Sequence, residues 1–173
     1  MFRKYAAIAV CLTILFPCTS SAVTGNQPGD LAVHIAVSDS PAYIEQWVAT
    51  PFQAAVTVHR IHEVERGKTA YIAFLVTGQS ADPSRRSRVD VAVRVLRPDR
   101  SVAFADSSYA HVSRRNDGRI GFTMADPALD FGVEGDDPLG QWIIEATARD
   151  RVTGAAASAT YPLVVRQPAR LAH

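Results

Sequence analysis

The segment FTMADPALDFGVEGDD at residues 122–137 places five carboxylates within twelve residues. Clustered carboxylates at a loop are the oxygen ligands that calcium prefers. Their spacing differs from the Asp-x-Asp-x-Asp-Gly calcium loop, and side chains four residues apart share an outward face in a strand as in a helix. We interpret the cluster as a polar outer face followed by a turn. The alternative is a calcium site with these candidate ligands: Asp126, Asp130, Glu134, Asp136 and Asp137.

A second group of metal-ligand types lies in VHRIHEVE, which contains His59, His62, Glu63 and Glu65. Zinc hydrolases use the orders His-Glu-x-x-His or His-x-x-Glu-His, and neither order occurs in this segment. The surrounding valines and isoleucine favour a strand, in which His59 and His62 point to opposite faces. We therefore predict structural or surface roles for these side chains.

The sequence lacks the common motifs for nucleophilic catalysis and phosphate binding. It has no Gly-x-Ser-x-Gly elbow and no glycine-rich phosphate loop. Ser107, Ser108 and His111 lie close together, but no distinct orienting acid accompanies them. We predict a protein that is not an enzyme and uses no cofactor. A metal-dependent hydrolase is an alternative that metal analysis would test.

Aromatic side chains define a further alternative, a carbohydrate-binding module. Such a module needs an exposed aromatic row, for which Tyr43, Trp47 and Tyr109 are the candidates. Trp142 is not among them, because it lies on the apolar face of the alternating segment QWIIEATARD and is expected in the core.

Arginines accumulate in three segments that the strand pattern places at turns, 79–87, 111–118 and 150–154. If antiparallel strands alternate direction, these turns lie at one end of the molecule and the acidic loop 134–139 lies at the other. That arrangement requires RIGFTM and ALDFGV to form one bent strand. A molecule with such charged ends suits an anionic partner or head-to-tail contact. The candidate interaction residues are Arg85, Arg86, Arg88, Arg114, Arg115 and Arg151.

The elements that would position these side chains are mostly strands. Ser40 as N-cap and Pro41 at the first helical position predict a short helix over 41–49. From residue 55 onward the pattern changes: TAYIAFLVTG is apolar throughout, as in a central strand covered on both faces, while RVDVAVRVL and QWIIEATARD alternate. About seven strands separated by turn signals predict an all-β chain, an antiparallel β-sandwich with a short N-terminal helix.

The first 22 residues are typical of a cleaved export signal. Arg3 and Lys4 precede the apolar run AAIAVCLTILF, and TSSA provides small residues for cleavage after Ala22. The run is too short to span a bilayer, and no later segment is long and apolar enough to do so. Both cysteines lie in this leader, and Pro17 disfavours lipidation of Cys18 because a lipid-attachment motif needs a small residue there. We therefore expect a periplasmic or secreted chain without disulfides.

Charge balance narrows the classes of partner. Cleavage removes two of the 18 basic residues and none of the 17 acidic residues, which leaves a net charge of −1 with neutral histidines. A general nucleic-acid or membrane-surface binder would show a basic excess. The mature chain of about 150 residues is long enough for one core, since such a chain buries roughly 68–70% of its unfolded surface.

The segment DPLGQWIIEATARDRVTGAAASATYPLVV resembles the end of bacterial immunoglobulin-like or fibronectin-III-like domains, in which a Pro-x-Gly-x-aromatic entry leads to an alternating strand, a short turn and a last strand. The preceding FTMADPALDF is similar to a segment that recurs in small secreted bacterial proteins of unassigned function. The likeness covers 122–165 by motif and 55–166 by pattern. It implies an immunoglobulin-like fold and no activity. The disulfide common in immunoglobulin domains is absent, and 31–50 has no place in the basic seven-strand pattern.

These observations predict four parts: a signal peptide (1–22), an N-terminal tail with an edge strand and a short helix (23–54), an immunoglobulin-like β-sandwich (55–166) and a C-terminal tail (167–173). The predicted function is that of a protein interaction or assembly module in the cell envelope, with an unknown envelope protein or an anionic polymer as partner.

Overall fold

The computed structural model describes residues 30–49, 57–115 and 121–168. Within these ranges the chain is mostly β, with nine strands and one short helix. In chain order the elements are β1 (Ala32–Ser38), α1 (Ala42–Ala49), β2 (Glu63–Glu65), β3 (Thr69–Thr77), β4 (Arg86–Leu96), β5 (Val102–Arg115), β6 (Thr123–Met124), β7 (Leu129–Gly132), β8 (Gly140–Asp150) and β9 (Ala156–Arg166). The predicted leader at 1–22 and most of the predicted C-terminal tail lie outside the described residues.

The strands form two sheets that face each other across one core. In the first sheet, β3 pairs with β1 on one side and with β6 and β7 on the other, while the second sheet has the order β2-β9-β8-β4-β5. Both sheets contribute fully buried side chains, such as Ile72 and Phe74 from β3 and Val91 and Ile144 from the second sheet. The chain is therefore a β-sandwich.

The alternating strands turn the faces predicted from the sequence towards the core. Trp142 and Ile144 of β8 are buried, and Tyr161 and Leu163 of β9 face the same interior. The valines of β4 are all buried as well: Val89, Val91, Val93 and Val95. The outer face of this sheet is polar, with an ion pair of 3.3 Å between Arg94 and Glu145.

β3 is apolar throughout because both of its faces are covered. Its even-numbered residues face the core, while Ala73 and Leu75 lie on the outer face beneath α1, in a cluster with Tyr43 and Trp47. The helix begins as the sequence predicts, since the amide of Ala42 donates to the Ser40 hydroxyl oxygen at 3.2 Å.

The prediction of a wholly antiparallel sandwich is wrong at β2, which pairs in parallel with β9. Only Glu63–Glu65 of the predicted strand AVTVHRIHEVE forms a strand among the described residues, and it runs parallel to β9. The physical reason is that this segment crosses between the sheets. The amide of Ile61 donates to the Val37 carbonyl of β1 at 3.0 Å, and the amide of Val164 in β9 donates to the His62 carbonyl at 2.9 Å.

β6 and β7 are two parts of one interrupted strand. Both run antiparallel to β3 on the same side, with Val76 opposite Thr123 and Ile72 opposite Leu129. The interruption at 125–128 adds residues without reversing the chain, and the amide of Ala125 still donates to the Phe74 carbonyl at 2.8 Å. The condition for gathering the arginine segments at one end is therefore met.

Among the described residues, no helix has the length and apolar character needed to cross a membrane.

Candidate interaction surface

The arginine-bearing segments meet at one end of the second sheet. Arg86 at the start of β4 is opposite Arg115 at the end of β5, and Val89 of β4 is opposite Asp150 at the end of β8. Arg151 follows Asp150 directly. The structure thus brings the predicted residues together, while their role in binding stays a prediction. We call this group the arginine end: Arg85, Arg86, Arg88, Arg114, Arg115 and Arg151.

Arg86 and Arg115 form a like-charged pair across the strands. Directly opposite residues of an antiparallel pair project to the same face with Cβ atoms about 4.5–5.5 Å apart, and like charges at such positions destabilise the sheet. Both side chains are exposed, and neither forms an ion pair with a described residue. The pair therefore carries two positive charges that no described carboxylate offsets.

Asp82 shapes the turn that carries Arg85. Its carboxylate accepts the hydroxyl of Ser84 at 2.6 Å and the amide of Arg86 at 2.9 Å, and these hydrogen bonds hold the pKa of Asp82 below its ordinary value. The turn leaves Arg85 in the left-handed region with φ 62°. That conformation suits glycine and costs other residues of the order of 1 kcal/mol, so an arginine there is presented outward at some expense in stability.

Asp90 neutralises part of the arginine end. Its carboxylate is bonded to the guanidinium of Arg151 and lies 3.0 Å from Nδ1 of His111. Partial burial by itself raises the pKa of Asp90, but the hydrogen bonds from His111 and Arg151 outweigh it and hold that pKa below its ordinary value. Arg151 and His111 are therefore held in place, in contrast to Arg86 and Arg115.

The buried side chain of Asp150 links two of the arginine segments. It is buried, and its carboxyl oxygens accept the amides of Ser80 at 2.7 Å, Val152 at 2.7 Å and Thr153 at 3.4 Å. One side chain thus fixes the loop before β4 and the turn after β8 relative to each other.

Sequence reasoning missed Asp82, Asp90 and Asp150. Two local signals were present, since Asp82 and Asp150 each precede a short turn whose amides an aspartate can accept. The role of Asp90 has no such signal, because its partners His111 and Arg151 are on other strands and turns.

The predicted acidic cluster is spread along the molecule. Asp126 is bridged to His111 of β5, Asp130 lies opposite Tyr71 of β3, and Asp137 accepts the amide of Glu134 at 2.8 Å. Across residues 30–49, 57–115 and 121–168, no three or more histidine, cysteine or acidic side chains are grouped closely enough to hold a metal ion. The carboxylates serve as an outer face and a turn.

The acidic loop lies at the opposite end, but it is accompanied by cations. Gly67 donates its amide to the Val133 carbonyl at 2.8 Å, and the guanidinium of Arg66 is bonded to the carbonyl of Asp137. Arg97 and Arg100 belong to the β4–β5 turn beside them. The end that carries the acidic loop is therefore less negative than the loop alone would make it, and it differs less in charge from the arginine end.

The two histidines of VHRIHEVE do not converge. His59 is exposed and lies 3.5 Å from Asp39, whereas the ring of His62 stacks on Tyr161 with centroids 5.3 Å apart. Ser107 and Ser108 are exposed in β5, and His111 is engaged with Asp90 instead of a serine.

The aromatic candidates for sugar binding do not form a row. Tyr43 of α1 is buried against the first sheet and donates its hydroxyl to the Tyr71 carbonyl at 3.1 Å, and burial raises its pKa. Trp47 packs beside it on the outer face of the first sheet. Tyr109 contacts Phe74 on the core side, with ring centroids 6.2 Å apart.

Comparison with known proteins finds similar solved structures at low sequence identity. The CARDB domain of a Pyrococcus furiosus protein, crystallised in complex with di-metal ions, is 14% identical over 80% of this chain and 94% of that chain, with a TM-score of 0.40. Spo0M, the sporulation control protein of Bacillus subtilis, is 12% identical over 80% of this chain and 50% of that chain, with a TM-score of 0.35. No protein-family model and no curated protein matches the chain.

Proposed function

We propose that this chain is an exported, non-enzymatic interaction module with an immunoglobulin-like sandwich, and that the arginine end binds an anionic surface of a partner protein in the cell envelope. The observation that carries the proposal is the cross-strand pair of Arg86 and Arg115, two exposed arginines at directly opposite positions without an ion-pair partner among the described residues.

The energetics favour an anionic partner. Two guanidiniums on opposite residues repel each other in the free chain, and a carboxylate between them removes that repulsion and accepts charge-assisted hydrogen bonds. Arg85 adds a third exposed cation at the adjacent turn. Arginine suits this role because its planar fork matches carboxylate geometry and is weakly hydrated.

The framework around the pair is rigid enough to present it. Asp150 fixes the two flanking turns, and Asp82 accepts the amide at the beginning of β4. A surface whose backbone is already ordered loses less conformational freedom on binding.

The test is in-cell crosslinking of the full chain, comparing the double variant Arg86→Glu/Arg115→Glu with the wild type. We expect recovery of the crosslinked partner to be lost while the melting temperature is nearly unchanged, because both positions are exposed and the variant replaces one like-charged cross-strand pair by another. The matched control reverses two exposed cations at the opposite end, Lys68→Glu/Arg100→Glu, and should keep the crosslink. Equal recovery from both double variants would refute the assignment of the surface.

A further inference from the structure

A groove of about 900 Å³ lies between the edge of the second sheet and the near end of the first. One wall is the continuous stretch from Arg60 to Glu65, which includes β2. The other includes Asp39, Lys68 and two residues at the start of β3, Thr69 and Tyr71. The volume falls in the range of protein ligand sites, about 300–1,000 Å³. This groove is separate from the arginine end.

The hydrogen bonds to β9 show which backbone groups of this wall are engaged. Val164 donates its amide to the His62 carbonyl at 2.9 Å, and Arg66 donates to the Arg166 carbonyl at 2.9 Å. In a parallel pair, every second residue of a strand bonds to its neighbour. His62, Val64 and Arg66 are therefore the residues whose backbone groups face β9.

The alternate residues, Glu63 and Glu65, direct their backbone groups away from β9 and into the groove. The carbonyl of Glu65 accepts the amide of Lys68 at 3.1 Å in the turn that follows. The amide and carbonyl of Glu63 and the amide of Glu65 have no hydrogen-bond partner among the described residues. Such a row of open groups accepts another extended backbone.

β5, at the other edge of the same sheet, is less suited to strand addition. Two shifts in its register with β4 interrupt the ladder, and irregularities of this kind twist an edge away from a new strand. Its last residues are Arg114 and Arg115, which belong to the arginine end. β2 shows no register shift against β9.

Charge at the β2 edge indicates the side chains that an added strand would carry. The outer face of this edge presents Glu63 and Glu65, and Arg166 is paired with Glu63. Glu65 forms no ion pair with a described residue. Opposite charges on directly facing residues of neighbouring strands are stabilising, so a basic residue belongs opposite Glu65.

We propose that this groove binds an extended peptide segment of a partner protein, which adds to β2 as a new edge strand and places a lysine or arginine opposite Glu65. Three backbone hydrogen bonds with Glu63 and Glu65 hold the strand, and the groove walls of Arg60 and Lys68 receive its inward side chains. The short length of β2 limits the pairing to these residues and keeps the edge from joining long strands indiscriminately.

The experiment is selection of short random peptides displayed on phage against the full chain, followed by binding measurements on Glu63→Pro. Proline removes the open amide but no bond to β9, so the fold is kept. Peptides that bind in the groove should carry lysine or arginine at the position opposite Glu65 and bind Glu63→Pro about tenfold more weakly or worse. Glu63→Ala, which keeps the amide, is the matched control and should retain most of the binding.

A second variant and amide exchange complete the test. Glu65→Lys should shift the selected peptides from basic to acidic at the facing position, and bound peptide should slow exchange of the Glu63 and Glu65 amides. The proposal is overturned by the absence of any selected peptide that distinguishes Glu63→Pro from Glu63→Ala. It is equally overturned if these amides are already protected in the free chain.

Discussion

At the arginine end, Arg86 and Arg115 are directly opposite without a carboxylate partner among the described residues, whereas Arg66 and Arg97 at the opposite end are engaged within the fold. Nε of Arg66 donates to the Asp137 carbonyl at 2.9 Å, and Arg97 donates to the Val102 carbonyl at 2.9 Å. Arg66 and Arg97 thus hold backbone carbonyls of the fold, whereas Arg86 and Arg115 keep their charges exposed. A count of surface arginines is therefore a poor guide to binding. Arginines whose guanidinium groups already bond within the chain have less to offer a partner than those that do not.

The two ends also differ in what holds their turns together. A buried carboxyl group, that of Asp150, gathers three amides at the arginine end. The opposite end is held by Trp142, whose indole donates to the Pro138 carbonyl at 2.9 Å and whose ring packs on Phe131. Hydrogen bonds to a buried carboxyl group stabilise the turns at one end, and an indole hydrogen bond with aromatic packing stabilises the other. A substitution can weaken either end without touching the other.

The largest effect is expected from Asp150→Ala. Its removal leaves the amides of Ser80, Val152 and Thr153 without their acceptor, which should lower the free energy of unfolding by about 2–4 kcal/mol. Urea denaturation measures the loss, and in-cell crosslinking should show weaker partner recovery at temperatures where the variant is folded. Asp137→Ala, which removes the acceptor of a single amide, is the control and should cost about 1 kcal/mol. Equal losses from the two variants would contradict the different bracing of the ends.

Trp142→Phe should cost about 1–2 kcal/mol, because phenylalanine fills most of the buried site but cannot donate to Pro138. The loss is read from urea denaturation. Partner crosslinking through the arginine end should be unchanged, and a variant with normal stability but no crosslink would show that the ends are coupled.

Acid should remove the contribution of Asp90. Because the pKa of Asp90 is lower in the folded chain than in the unfolded one, its stabilisation is fully present above the unfolded value of about 3.9 and is lost as pH falls through the folded value. We expect the melting temperatures of the wild type and Asp90→Asn to differ by a constant amount near neutral pH, equivalent to at most about 1 kcal/mol. The difference should shrink below about pH 4. A difference that persists in strong acid would mean that the carboxylate charge contributes nothing.

The smallest effects are expected from Arg85→Gly and Arg100→Gly. Both arginines occupy the left-handed region, with φ 62° and φ 69°, so glycine should relieve strain and raise stability by about 0.5–1 kcal/mol at each site. Thermal unfolding compares the two. Only Arg85→Gly should weaken crosslinking, and an equal loss from Arg100→Gly would remove the distinction between the ends.

The sequence predicts the faces of the long strands and the start of the helix because both follow from short-range patterns. Alternation places Val91 and Trp142 in the core, and the Ser40 cap is visible as a single residue before Pro41. The gathering of the arginine segments also follows from strand direction, since the interrupted strand β6 and β7 preserves it.

Features that depend on register between distant strands were not visible. The alternation of VHRIHEVE looks like a strand, yet the amide of Ile61 is bonded to β1 and the carbonyl of His62 to β9, so the chain crosses between sheets there. The partners of Asp90 were hidden for the same reason. Whether Arg86 meets an acid or Arg115 is decided by a shift of one or two residues, which sequence spacing does not reveal.

The crossing at Ile61 and His62 gives the sandwich a mechanical property. Two adjacent residues fasten the edge of one sheet to the edge of the other, and the hydroxyl of Tyr161 holds the Ile61 carbonyl at 2.6 Å. A pulling force that separates the sheets at this edge acts on the hydrogen bond between Ile61 and Val37, while the two bonds to β9 hold the segment on the second sheet. The opposite edge is fastened as well, because His111 of β5 and Asp126 between β6 and β7 exchange backbone hydrogen bonds of 2.8 and 3.0 Å, and the Tyr109 hydroxyl donates to the Ala128 carbonyl at 2.9 Å. Under load the two sheets are therefore held at both edges, and the hydrogen bonds of both edges must rupture before the sheets separate.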